Sequence, residues 1–153
     1  MEVQLCESMP DLVSLCTNEE LRELIVSHAH QNCEQIVEIV AIFDRYGEAT
    51  GHDKCMAMSG LIEGGTAHLK AVRCPHTRDL MMIAHCLRIE CYEIAAYSFT
   101  ALLSGRLGLK REPEILSELL AEEQDMAAVL RLLEPELFQT AISAARHERQ
   151  RRA

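Results

Sequence analysis

The sequence predicts an all-α protein: a four-helix bundle with one long crossover that contains a short extra helix. Three observations carry that prediction. Hydrophobic residues make up 48 % of the chain but aromatics only 4 %, with no Trp, so aliphatic side chains fill the core, as suits helix-on-helix packing. Seven Gly and four Pro are too few for the many turns of an all-β fold. Apolar residues recur at alternating steps of three and four, the helical period. The 153 residues make one domain, long enough to bury a core without staples.

The first segment places Leu5, Met9, Leu12 and Cys16 on one stripe, with Pro10 marking a point where the helix can kink. Thr17-Asn18-Glu19-Glu20 reads as a turn with a helix cap, Thr17 or Asn18, followed by acids that suit a first turn. The second helix spans about Glu19 to Tyr46 and stops at Gly47. Its stripe is Leu21, Ile25, His28, Asn32, Gln35, Ile39, Ile42 and Tyr46.

From Gly47 to Pro75 the pattern weakens. Met58, Leu61 and Ile62 mark a short helix, which Gly64-Gly65 is expected to break. A third long helix runs from about Arg78 to Ser104 with Ile83, Leu87, Glu90, Ile94, Tyr97 and Ala101 on its stripe. Gly105 and Gly108 end it, and Pro113 suits the first turn of a fourth helix. That helix carries Leu116, Leu119, Glu123, Met126, Leu130 and Leu133. Residues 1–135 thus form the bundle, and 136–153 a basic helical or frayed tail with Arg146, His147, Arg149, Arg151 and Arg152. Helix, tight turn, helix, long crossover, helix, short loop, helix is the ferritin-like connectivity.

A net charge of −9 argues against a nucleic-acid surface, and no apolar run approaches the roughly 20 residues that span a bilayer. The seven cysteines are odd in number, contain no CxxC and follow no signal peptide. Reduced thiols in a cytoplasm are expected. Cys86 and Cys91 lie five apart, off a common helix face, and make no thiolate site. His52, His68, His76 and His85 read as surface or loop residues. There is no Ser/His/Asp constellation, phosphate loop or redox dithiol motif.

Chemistry shows where the stripes are interrupted. Extended back one step, the first stripe meets Glu2; the second is broken by His28, Asn32 and Gln35, the third by Glu90, the fourth by Glu123. Every long helix therefore turns a metal-ligand residue type inward. An unpaired carboxylate in a bundle core costs several kcal/mol or loses its charge. Several around one imidazole call for cations, and carboxylate with imidazole favours iron, manganese or zinc. A residue three positions along can face the same site, which adds Gln31 to His28 and Glu93 to Glu90. Each residue also has a structural reading: Glu2 a frayed acid, His28 a satisfied core histidine, Glu123 part of an acidic face with Glu122. Glu90 resists it, because Ile83, Leu87, Ile94 and Tyr97 fix its face inward.

These segments resemble the YciE/YciF-type ferritin-like bacterial stress proteins. MEVQL followed by Met9-Pro10 is similar to that family's AEKQL…LP opening. LRELIVSHAHQNCEQIVEIVAIFDRYG, KCMAMSGLIEGG, RDLMMIAHCLRIECYEIAAYSFTALL and LLAEEQD follow in the family's order, and YEIAAY is the most specific stretch. The resemblance covers Met1 to about Leu133. It implies a dinuclear centre of two iron-type ions (manganese or zinc as substitutes), a homodimer, a role in stress, and activity of the oxidase or peroxidase kind. By motif, the ligands carried over are Glu2, His28, Glu90, Glu93 and Glu123, with Gln31 where the family has Glu in HLEET. Cys91 stands where the family has His in EHYE, and Glu2 lies where the first helix only begins. Two functions follow as expectations. One is a metal-binding, stress-related bundle; the other is a metal-free structural or interaction bundle whose polar core residues satisfy each other.

Overall fold

The computed structural model describes residues 1–51 and 53–152; His52 lies outside the described residues. Among the described residues five helices follow in order: α1 (Glu2–Leu15), α2 (Glu19–Arg45), α3 (Met56–Ala71), α4 (Pro75–Arg106) and α5 (Glu112–Arg152). The long helices pair as two hairpins, α1 with α2 and α4 with α5, and α2 also packs on α5. The crossover helix α3 lies against α1 and α4.

The turns form as their residues dictate. Asn18 is the cap of α2, its Oδ1 accepting from the backbone N–H of Leu21 at 2.8 Å. Thr17 serves otherwise: its N–H donates to Asp79 Oδ1 at 2.8 Å and its hydroxyl to Asp79 Oδ2 at 2.5 Å, which ties the α1–α2 turn to the start of α4. Gly47, at φ +66°, ends α2 in the left-handed conformation that a Cβ disfavours. Arg45 at the end of α2 pairs with Glu112 at the start of α5, Nη2 to Oε1 3.2 Å.

The stripes lie inward much as the period requires. Leu5, Met9, Leu12, Cys16, Leu21, Ile25, Ile83, Met126 and Leu130 are buried in one cluster. The α2 stripe leaves the core near its end, Ile39 and Ile42 being half-buried and Tyr46 exposed. Pro10 sits within a continuous α1.

Two expectations are corrected. Gly64-Gly65 does not break the crossover helix; α3 runs through the pair to Ala71 and buries Met58 and Leu69 in the core. Helix-breaking glycines cost backbone entropy, but Gly65 is buried against the His85 imidazole, where the missing side chain makes room. His85, expected at the surface, is therefore fully buried, whereas His68 and His76 are exposed. The crossover is further held by Gln4 of α1. Its Oε1 accepts from the Cys55 N–H at 2.8 Å, and its Nε2 donates to Ser59 Oγ at 2.7 Å. At the other end α5 continues through Pro135 to Arg152, with Leu137 and Ala141 buried. Among the described residues no helix is long and apolar enough to cross a membrane.

Candidate metal centre

The inward polar residues of the bundle converge. His28 of α2, Glu90 and Glu93 of α4, and Glu123 of α5 are all buried, and one ligand atom from each lies within 4.8 Å of the others. His28 Nε2 is 3.4 Å from Glu90 Oε1 and 3.5 Å from Glu123 Oε2. Helical spacing produces this directly: Glu90 and Glu93 are one turn apart on α4, so both face the axis.

Glu2 closes the cluster from α1. It is 5 % exposed, and the Tyr97 hydroxyl donates to its Oε1 at 2.8 Å. The start of α1 is thereby anchored, and Glu2 is a buried acid rather than a frayed one. Gln31, one turn beyond His28 on α2, is half-buried and contributes to holding the His28 imidazolium. Cys91, the other departure from the resemblance, is exposed and leaves the cluster unaltered. Glu122 and Glu123 are held by Gln35, whose Nε2 donates to Glu122 Oε2 at 3.0 Å and to Glu123 Oε1.

The electrostatics are those of a crowded acid site. Burial, then the charges of Glu2 and Glu123, push the Glu93 carboxyl up to about 11. Burial and Glu90 push Glu123 up to about 8, against the pull of His28 and Gln35. Burial depresses the His28 imidazolium, but Glu90 and Glu123 outweigh it and hold His28 above its ordinary value. Among the described residues, both oxygens of Glu93 and one each of Glu2, Glu90 and Glu123 accept no hydrogen bond, and His28 meets its acids only at the ion-pair distances given above. Buried polar atoms are nearly always satisfied. A set of orphaned oxygens around one imidazole fits a bound cation, which would take up these lone pairs and cancel the repulsion.

The sequence compares accordingly. Residues 1–143 match the family described as Domain of unknown function (DUF892). The chain belongs to this family. It is 31 % identical over 124 residues to Protein YciF of Escherichia coli (strain K12), spanning 80 % of this chain and 75 % of that protein. The crystal structure of the E. coli stress protein YciF superposes with a TM-score of 0.86 at 29 % identity, over 90 % of this chain and 87 % of that one. YcfI from Rhodopseudomonas palustris superposes at TM-score 0.82 and 25 % identity, over 85 % and 83 %.

Two parts of this site are missing from a reading of the stripes. Tyr97 counts there as an apolar position, yet its hydroxyl holds Glu2; its place one turn beyond Glu93 was the available signal. Gln35 reads as an interruption, and only the packing of α2 on α5 reveals its grip on Glu122 and Glu123.

Proposed function

We propose that this is a stress-related, metal-binding bundle whose core holds one or two iron-type ions, with manganese or zinc as substitutes. The observation that carries the reading is the buried group of His28, Glu90, Glu93 and Glu123, in which both oxygens of Glu93 and one each of Glu90 and Glu123 lack a hydrogen-bond partner among the described residues. These four would be the ligands, with Glu2 and Gln31 bordering them. A bound iron-type ion supplies redox chemistry toward oxygen or peroxide, the fold-level analogy being an oxidase or peroxidase. The chain's own part is positional. Tyr97 fixes Glu2, Gln35 fixes Glu123, and Ile83 and Ile89 on α4 are buried in the apolar core of the same helix. A cytoplasmic homodimer completes the reading. Exposed Phe99, Leu102, Leu103 and Leu107 toward the end of α4 supply apolar surface for self-association.

Metal content per chain, measured by mass spectrometry after anaerobic ferrous loading and desalting, tests the proposal. One or two irons that vanish in a folded Glu90→Ala variant support it; no retained metal in the well-folded wild type overturns it.

A second reading, a metal-free structural or interaction bundle, is favoured by the Gln35–Glu123 and Tyr97–Glu2 hydrogen bonds, which stabilise the acids without a cation. Chelation separates the two: it lowers the melting temperature of a metal protein and leaves a metal-free one unchanged.

A further inference from the structure

Outside the acid cluster, the two thiols of Cys6 on α1 and Cys33 on α2 meet with their Sγ atoms 3.2 Å apart. Both are free; Cys33 is exposed and Cys6 half-buried beneath it. Twenty-seven residues separate them in sequence, so no local motif places them together, and the α1–α2 hairpin alone does so. Sulfur atoms in a disulfide lie about 2.05 Å apart, so closing this pair requires only a small approach of two side chains at the surface. Cys16 and Cys86, by contrast, are buried, and Cys55 is engaged with the Tyr92 hydroxyl at 3.0 Å.

We propose that Cys6 and Cys33 form a peroxide-oxidised dithiol site that closes to a disulfide between α1 and α2. The co-reactant is a hydroperoxide. The Cys33 thiolate, the sulfur open to solvent, attacks the terminal oxygen of the hydroperoxide; the O–O bond breaks, and the departing hydroxide or alkoxide takes up the proton that the Cys33 thiol released, leaving as water or an alcohol. Cys33 is then a sulfenic acid. The Cys6 sulfur attacks Cys33 Sγ, the S–S bond forms, and the hydroxide leaves with the Cys6 thiol proton as water. Two electrons pass from the dithiol to the peroxide, and an external thiol reverses the change by exchange. Cys33 is the exposed sulfur of the pair and so the one a peroxide in solvent meets first.

The site has a structural consequence. Cys6 lies one helical turn beyond Glu2, on the same helix. A bond to α2 would clamp the start of α1, and with it the acid that borders the cluster. The dithiol itself stands on the thiol geometry alone and does not depend on the metal reading.

The test is to treat the reduced, full-length protein with a small molar excess of hydrogen peroxide, alkylate the remaining thiols, and take the intact mass and a peptide map. Two of the seven thiols become protected from alkylation, the peptides bearing Cys6 and Cys33 appear linked, and dithiothreitol restores both. In Cys6→Ser the reaction stops at Cys33, which a sulfenic-acid reagent then labels. Cys33→Ser shows neither the link nor the label. All seven thiols still alkylated, or a link between another pair, overturns the proposal. So does an unlabelled Cys33 in a Cys6→Ser protein whose helical signal matches the wild type.

Discussion

Gly65 of α3 and His85 of α4 share one space: a Cβ built at residue 65 would overlap the imidazole of His85. The ring is fully buried and cannot swing away into solvent. Gly65→Ala should therefore destabilise the fold by about 1–3 kcal/mol, the usual cost of overpacking. The adjacent Gly64 is the control, since a Cβ there meets nothing within 4 Å. Gly64→Ala should stabilise the helix by about 0.5–1 kcal/mol through lost unfolded-state entropy. Urea denaturation of the two variants checks the pair; effects of the same sign would show that the contact does not govern the position.

His85 also predicts an acid limit. Its two ring nitrogens have no hydrogen-bond partner among the described residues, and burial, with Arg88 and His68 nearby, lowers it from 6.5 to about 4. The unfolded chain therefore binds a proton between those values that the folded chain refuses. The resulting stability is complete above pH 6.5 and is lost as pH falls toward 4, by about 3 kcal/mol. The difference between wild type and His85→Leu, followed by denaturation across that range, isolates this contribution from the carboxylates. A difference independent of pH would refute it.

The sequence made the long helices and the acid line legible for one reason. Glu90 sits between apolar residues whose spacing leaves it no outward face, whereas for His28 and Glu123 the spacing left a structural reading open that their burial removes. Periodicity reports which face a residue occupies, and within a bundle that nearly determines the site. What it does not report is contact between helices. His85 looked like a surface residue because its burial depends on a glycine in a different helix. The Cys6–Cys33 approach, the Tyr97 hydroxyl on Glu2 and the Asp79–Thr17 link were invisible for the same reason, each joining elements distant in sequence.

Asp79 illustrates the cost of such a link. It is 2 % exposed and accepts both the N–H and the hydroxyl of Thr17. Asp79→Ala leaves that N–H without a partner at the joint between the two hairpins and should cost about 2–4 kcal/mol, since bonds to a charged acceptor are the stronger kind. Thr17→Ala, which keeps the backbone bond, should cost clearly less. Thermal melts of the two variants give the ranking; equal losses would assign the stability to the hydroxyl alone.

Under the proposed metal-binding reading, Glu93 separates folding from metal binding most sharply, because the two roles it would have carry opposite signs. Without metal its carboxyl is raised to about 11 and stays protonated at neutral pH. The unfolded chain, titrating near 4.5, has already released that proton. A group raised in this way gives stability that is fully present below pH 4.5 and is progressively lost as pH rises toward 11. At pH 7 the loss amounts to up to about 3 kcal/mol. Glu93→Gln removes that burden, being neutral in both states and similar in shape, so the chelated variant should melt above the chelated wild type, by a margin that widens with pH. With iron present the order should reverse: an amide is a poorer ligand than a carboxylate for such an ion, and the variant forfeits the stabilisation that binding gives the wild type. Melting curves of both proteins, with chelator and with ferrous iron under anaerobic conditions, give the four values required. A crossing of the two orders marks Glu93 as a ligand whose cost to the empty fold is offset by the ion. A variant more stable under both conditions would mark it as an acid that the bundle tolerates for some other reason.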